Sequence, residues 1–398
     1  MAKIKTARRK APPKFSRQEY EARIERARVQ MAEAKLDAIM VTAQPNLPYF
    51  SGAELPIAWE SPTRPWHLLV PRTREPIAII PYSGEREWRE TSWIGDLRMW
   101  RSPNPENEGL DIIAKSILEL PRVHGRVGFE LGLESRLIMA PGDLMRVREM
   151  IRPVEMADCA VLMAKLRFVK SKAEHAHQRH ICQIVSDAFA DLPKLFKAGM
   201  VDADLLRALQ ADILLRGADK TPYMVIGSGK GGYDSTSMGP VGRKIAKGDL
   251  FQIDTGSRWG FYYSDFCRNY SVGKPSDEAR RAYDTLWRAT EAGIKAARPG
   301  ATSSDLFRAQ AKVIRDAGYE VNDIGRMGHG LGRNLTEPPS NKLGDETVLV
   351  ENATVTIEPS LAFGRGKSMV HEENLIVTPA GGKLLTARAP REMWVLRG

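Results

Sequence analysis

The chain has 398 residues, 42% of them hydrophobic and 27% charged, with a formal net charge of +10. That length allows two or three domains, each burying a core without cross-links. Three scattered cysteines (Cys159, Cys182 and Cys267) argue against a disulfide scaffold and a thiolate zinc cluster, and no apolar run reaches the ~20 residues of a membrane span.

Lys3, Lys5, Arg8, Arg9, Lys10 and Lys14 fall within the first 14 residues, with no acid among them, which leaves +4 for the rest of the chain. Residues 1–16 read as a basic flexible tail. The alternative is a nucleic-acid arm. No helix-turn-helix, RNP or zinc-finger pattern accompanies it, so nucleic acid is not an expected partner. The N-terminus also lacks the apolar stretch of a secretory signal, so a cytoplasmic location is expected and a membrane partner is not.

Residues 17–36 carry apolar side chains at Ile24, Ala27, Met31 and Leu36, the spacing of an amphipathic helix. Strand-like runs follow at 37–42, 66–71, 76–81 and 127–130, with a helix predicted over about 110–120. Alternating strands and helices predict an α/β domain over 17–160. Ser171 and Glu174 have the spacing of a capping box, so a helix is expected to start at Ser171. It belongs to a second domain, 161–398. His175, His177 and His180 on that helix lack the i, i+4 spacing of a metal pair and read as a solvated face.

The second domain contains a repeat. Residues 199–217 align with 300–318, with seven identities in 19 positions, and both read as a glycine turn followed by an amphipathic helix ending at glycine. This predicts two similar α+β halves related by a pseudo-two-fold. Between the two repeats, Gly227–Gly232 (GSGKGG) resembles a phosphate loop only faintly and reads as a turn.

Two hairpins hold the candidate chemistry. Asp254 and Asp265 are equidistant from Trp259-Gly260. If those two residues form the loop, the aspartates face each other across an antiparallel pair, ~5 Å apart. Glu358 and Glu372 are equidistant from Arg365, within Gly364-Arg365-Gly366, and could also be directly opposite. A buried acid pair repels itself unless a cation lies between its members. His329, flanked by Gly328 and Gly330, adds an imidazole on a backbone that can approach closely. Four carboxylates match two divalent ions ~3.5–4 Å apart. Oxygen-rich ligation with one imidazole suits manganese, cobalt, iron or zinc. His371 is next to Glu372 and on a strand would point away from it.

These residues resemble the pita-bread superfamily, which includes methionine aminopeptidase, Xaa-Pro aminopeptidase, prolidase and creatinase. Asn46-Leu-Pro-Tyr-Phe-Ser-Gly52 and Leu166–Glu174 are similar to segments of its creatinase- and prolidase-like branch. The resemblance implies a creatinase-like α/β N-terminal domain, a pita-bread catalytic domain and a homodimer. It also implies that Asp254 binds one metal, that Asp265 and Glu372 bridge two, that His329 completes a shell, and that Glu358 binds metal and accepts a proton from the attacking water. The implied activity is a metal-dependent hydrolase of a C–N bond, acting on a dipeptide or another small molecule.

Two departures bear on the substrate. Thr236 and Thr336 stand where the peptidases carry histidines, and Val370 stands where many Xaa-Pro enzymes carry arginine. A hydroxyl cannot carry a proton as imidazole does near pH 7. A small non-peptide amide is therefore the expected substrate. A metal-dependent lyase related to sulfonium propionate lyases and a metal-binding pseudoenzyme are the other readings. Tyr233, Asp234, Tyr262, Tyr263 and Arg365 are pocket candidates beside the two threonines.

Overall fold

The computed structural model describes residues 9–54, 61, 63–321 and 325–398. It contains two compact units: Pro13–Arg167, and Phe168–Gly398 together with residues 9–12. The division falls after Arg167 rather than at 160, because the helix there buries Leu162, Met163 and Leu166 in the N-terminal core. Residues 1–8 of the expected tail lie outside the described residues. The remainder is held in place: Arg9 pairs with Asp187 at 2.7 Å, and Ser16 caps the first helix.

The first unit runs α1 (Arg17–Glu33), β1 (Ala38–Val41), α2 (Leu47–Ser51), β2 (His67–Pro71), β3 (Ile77–Pro81), α3 (Glu85–Thr91), β4 (Asp96–Trp100), α4 (Leu110–Leu118), β5 (Arg126–Phe129), α5 (Pro141–Met150), β6 (Glu155–Asp158) and α6 (Ala160–Phe168). The six strands form one mixed sheet in the order β4-β3-β2-β1-β5-β6. Its central strands are continuously apolar because both faces are covered. Ile39 and Val41 enter the core beside α1 and α6, while Ala38 and Met40 enter the core beside α4 and α5.

The second unit continues with α7 (Lys172–Leu195), α8 (Asp202–Leu215), β7 (Lys220–Lys230), β8 (Asp249–Trp259), β9 (Tyr262–Tyr263), β10 (Phe266–Val272), α9 (Asp277–Ala296), α10 (Ser303–Asp316), β11 (His329–Gly330), β12 (Glu337–Ser340), β13 (Thr354–Ile357), β14 (Ser360–Gly364), β15 (Lys367–Val370), β16 (Glu373–Thr378), β17 (Gly381–Leu384) and β18 (Trp394–Leu396). Ser171 caps α7 in a full capping box. One sheet, β18-β10-β8-β7 with β9 attached, packs on α7 and α8. The other, β12-β11-β13-β16-β17, packs Val355, Ile357 and Leu375 against Ile294 and Leu306 of α9 and α10. The repeat identified in the sequence becomes α8 and α10, whose first and last residues fall at equivalent places of the aligned segments. Bridges Val201↔Lys244 and Thr302↔Val348 open the two helices in the same way. Among the described residues, no helix is long and apolar enough to cross a membrane.

Two expectations are corrected. The face of α7 bearing His175, His177 and His180 is buried, not solvated. The His177 and His180 rings pack on Trp259 at 4.7 Å each, and His175 Nε2 lies 3.2 Å from Asn352 O. The tip of the β8–β9 hairpin covers His177 and His180, a tertiary contact that helical spacing does not reveal. The glycine-rich run is likewise the end of strand β7 rather than a turn, until Gly231. A Cβ on Gly227 or Gly229 would stand 2.2 Å from Ser235 O or Gly232 O, so these glycines let the chain fold back onto its own strand.

Candidate metal centre

The first hairpin turns at Gly260-Phe261, not Trp259-Gly260. Both turn residues take positive φ (56° and 67°), the geometry of a two-residue turn that follows the strand twist. The bulky Phe261 at a position that favours glycine or asparagine is what the sequence pattern missed. Asp254 therefore pairs with Cys267, and Asp265, just before β10, lies diagonal to it. The shift is two residues, so both aspartates keep the same face. The second hairpin has the register read from the sequence. Ile357↔Glu373 on one side and Ser360↔Val370 on the other bracket Glu358 and Glu372, which lie opposite each other in a gap of the ladder.

His329 reaches this point because its flanking glycines touch other backbone. A Cβ on Gly328 or Gly330 would sit 2.2 Å from Thr356 O or Pro338 O. The His329 N–H donates to Thr356 Oγ1 (3.1 Å). The two hairpins are joined by Asn374: the Asp265 N–H donates to its Oδ1 (2.9 Å), and its Nδ2 donates back to Asp265 O. The Arg268 guanidinium donates to Glu372 O (3.0 Å).

Asp265, His329 and Glu372 are buried, with ligand atoms within 4.8 Å of one another. His329 Nε2 lies 3.4 Å from Asp265 Oδ2 and 4.0 Å from Glu372 Oε1. Asp254 and Glu358 are half-buried and lie outside that tightest group. Burial, then mutual repulsion, raises the carboxyls. Asp254 is pushed up to about 8 by burial and Asp265, Asp265 to about 8 by burial, and Glu358 to about 7 by burial against the pull of His329. Glu372 is raised well above the usual range by burial, then by Glu358, Asp265 and Asp254.

A divalent cation fits this set. Asp254 Oδ1 and Glu372 Oε1 are buried without a hydrogen-bond partner among the described residues. His329 Nδ1 lies 2.9 Å from Gly330 O, a pure acceptor, so Nδ1 carries the proton. In the neutral ring Nε2 then turns a lone pair toward two carboxylates. That arrangement needs either a proton on a carboxyl or a cation between the groups, and it is the usual posture of a ligating histidine.

Residues 176–379 match the profile of metallopeptidase family M24, and residues 23–169 match the creatinase/prolidase N-terminal domain. The chain belongs to metallopeptidase family M24. It is 29% identical over 237 residues to the Mycobacterium tuberculosis protein named "Probable dipeptidase PepE", across 59% of this chain and 62% of that relative. It thus aligns with less than two thirds of the mycobacterial relative's length. The Xaa-Pro dipeptidase of Pyrococcus horikoshii is 25% identical over 366 residues, covering 91% of this chain and 96% of the relative. Among solved structures, the prolidase of Thermococcus sibiricus aligns with a TM-score of 0.83 at 25% identity, over 95% of this chain and 99% of that one. The dipeptidase PepE of Mycobacterium ulcerans shares the fold with a TM-score of 0.82 at 24% identity, over 97% and 100%. The fold is that of the M24 pita-bread domain behind a creatinase-like α/β domain.

In this M24 chain several pocket candidates have partners within the fold. Tyr233 is buried, its hydroxyl donating to Asn269 Oδ1 (2.7 Å) and accepting from the Val370 N–H (3.2 Å). Tyr262 is buried and donates to Glu174 Oε1 (2.8 Å). Arg365 and Asp234 are exposed, and Tyr263 is half-buried beneath Arg258. Thr236 is half-buried, its carbonyl accepting from Gln252 Nε2 (2.7 Å), and Thr336 is exposed. His371 packs on Tyr283 with ring centroids 4.3 Å apart. Sequence reasoning missed Tyr223, whose hydroxyl donates to Asp254 Oδ2 (3.0 Å), and Asn374. Asn374 could have been found, because it lies two residues beyond Glu372 and so on the same strand face.

Proposed function

We propose that this M24 protein is a dinuclear-metal hydrolase of a C–N bond, prolidase-like in machinery and shifted toward a small non-peptide amide. The buried Asp265–His329–Glu372 cluster carries the reading. Asp254, Asp265, His329, Glu358 and Glu372 would hold two divalent ions from the manganese, cobalt, iron and zinc group. Bound there, the ions supply Lewis acidity and a nucleophilic water near neutral pH. Glu358 is half-buried. It accepts the proton of the attacking water and returns it to the leaving nitrogen. The hydrogen bond to Gly330 O holds the His329 ring in its ligating tautomer.

Thr236 and Thr336 can orient a substrate by hydrogen bonding but cannot shuttle a proton at pH 7. That favours an amide whose nitrogen leaves without imidazole assistance over an ordinary peptide bond. The family resemblance adds a homodimer.

Metal analysis of purified protein, with turnover measured across Xaa-Pro dipeptides and simple amides or lactams, tests the reading. One to two ions per chain and faster amide than dipeptide turnover are expected. Protein that neither carries nor takes up divalent ions overturns it. Brisk dipeptide turnover removes the substrate shift and keeps the hydrolase, whereas an elimination product assigns a lyase.

A further inference from the structure

Apart from the metal centre, the start of α7, the β16–β17 edge, Lys10 and Pro12 border an open cleft of about 470 Å³. Four cations line it: Lys10, Lys172, Arg179 and Lys383. None of its described lining residues is acidic. Among the described residues, no carboxylate oxygen lies within 4.0 Å of any of these four cationic groups. Three cations outside the cleft, on α7, on α8 and just past its end, are matched by aspartates, in the pairs Lys194–Asp191, Arg207–Asp204 and Arg216–Asp212. Four unmatched positive charges around one concavity focus a field that attracts anions.

The cleft is also built. Arg9 forks onto Asp187 (Nε–Oδ2 2.7 Å, Nη2–Oδ1 2.9 Å) and reaches Gln183 Oε1 (3.4 Å), fastening the N-terminal segment along α7 so that Lys10 forms part of the rim. Arg179 is half-buried and donates to Leu384 O (3.4 Å), which fixes its guanidinium in the wall. His175 and His180 are buried and line the cleft with Asn352 and Thr378, so polar groups stand beside the four cations.

We propose that this cleft binds a small, multiply charged phosphate compound. Lysine ammonium groups act as point charges on phosphate oxygens, and a single arginine fork adds one bidentate contact. The volume lies within the range of small-molecule sites and exceeds what one phosphate fills. The ligand therefore carries adjoining phosphates, either as inorganic pyrophosphate or as a nucleoside polyphosphate.

Equilibrium binding of pyrophosphate and of ATP to the full-length, metal-loaded protein in about 150 mM salt tests the proposal beside the double variant Lys172→Glu/Lys383→Glu. Both lysines are exposed, and the variant leaves the metal centre intact, so any chelation there is equal in the two proteins. The expected result is one saturable site per chain, weakened at least tenfold in the double variant. Tighter binding of ATP than of pyrophosphate identifies a nucleotide, and equal binding identifies the phosphates alone; both support the site. Asp187→Ala, which frees the Arg9 strap, is expected to weaken binding severalfold. No saturable binding overturns the proposal, as does equal affinity in wild type and double variant, or binding of an RNA oligonucleotide where neither small anion binds.

Discussion

The β8–β10 hairpin and the chain from β13 to β16 each bring two carboxylates to the metal centre, by different means. In the first, Asp254 sits inside a ladder and Asp265 is placed by a two-residue turn. The position of Asp265 then depends on which residues make the turn. In the second, Glu358 and Glu372 occupy a gap between two stretches of ladder that share one register. Neither glutamate lends its backbone to the other strand. The Glu358 N–H donates to Met327 O (3.0 Å) and Glu372 O accepts from Arg268 (3.0 Å). A gap bracketed on both sides fixes two side chains without relying on a turn, and leaves them free to crowd together.

The largest expected effect tests whether that crowding serves a cation. Glu372→Gln should lower metal-dependent turnover by roughly 10³ or more and abolish the metal-induced rise in Tm. The metal-free variant should nevertheless melt higher than metal-free wild type at pH 7 and above, because a carboxyl that must take up a proton to be buried there is gone. Asp254→Asn should give a smaller rise, since Asp254 already has Tyr223 and partial exposure. A drop in both metal-free melting points would mark the acids as structural partners.

Next in size is the pH dependence. With Asp254 and Asp265 at about 8 and Glu358 at about 7, the folded metal-free protein holds more protons than the unfolded chain between the usual carboxyl pKa and those values. Its stability should therefore fall as pH rises from about 4 to about 8, and metal binding at pH 7 should release protons. Urea unfolding at several pH values, with and without metal, measures the slope. A flat metal-free profile contradicts the burial of these acids.

Gly328→Ala should then cost about 3 kcal/mol in chemical unfolding, because φ is +122° and the new Cβ meets Thr356 O. In the first hairpin the corresponding position is Gly256, two residues from Asp254, where a new Cβ meets the tip of the Leu335 side chain rather than backbone, so Gly256→Ala should cost less than Gly328→Ala. Smallest is Tyr223→Phe, which should weaken metal binding about tenfold by titration calorimetry and leave the second hairpin's acids untouched.

Much of this was legible in the sequence for local reasons. The capping box at Ser171, the apolar strands of the first unit and the repeat that became α8 and α10 follow from nearest-neighbour chemistry. So does the Glu358–Glu372 register, because it depends only on a symmetric count. Edge strands β4 and β6 were missed because they are polar and partly exposed, with no apolar run to mark them.

By itself the sequence determined which residue types could form a cation site and that they lay on two hairpins of a duplicated unit. Only the tertiary structure decided that Asp265 stands diagonal to Asp254, that Asn374 joins the hairpins, and that the α7 histidines lie beneath Trp259. The physical reason is that turn conformation and cross-element contact are settled by packing between segments distant in the chain. Spacing along the chain records only which face a residue occupies.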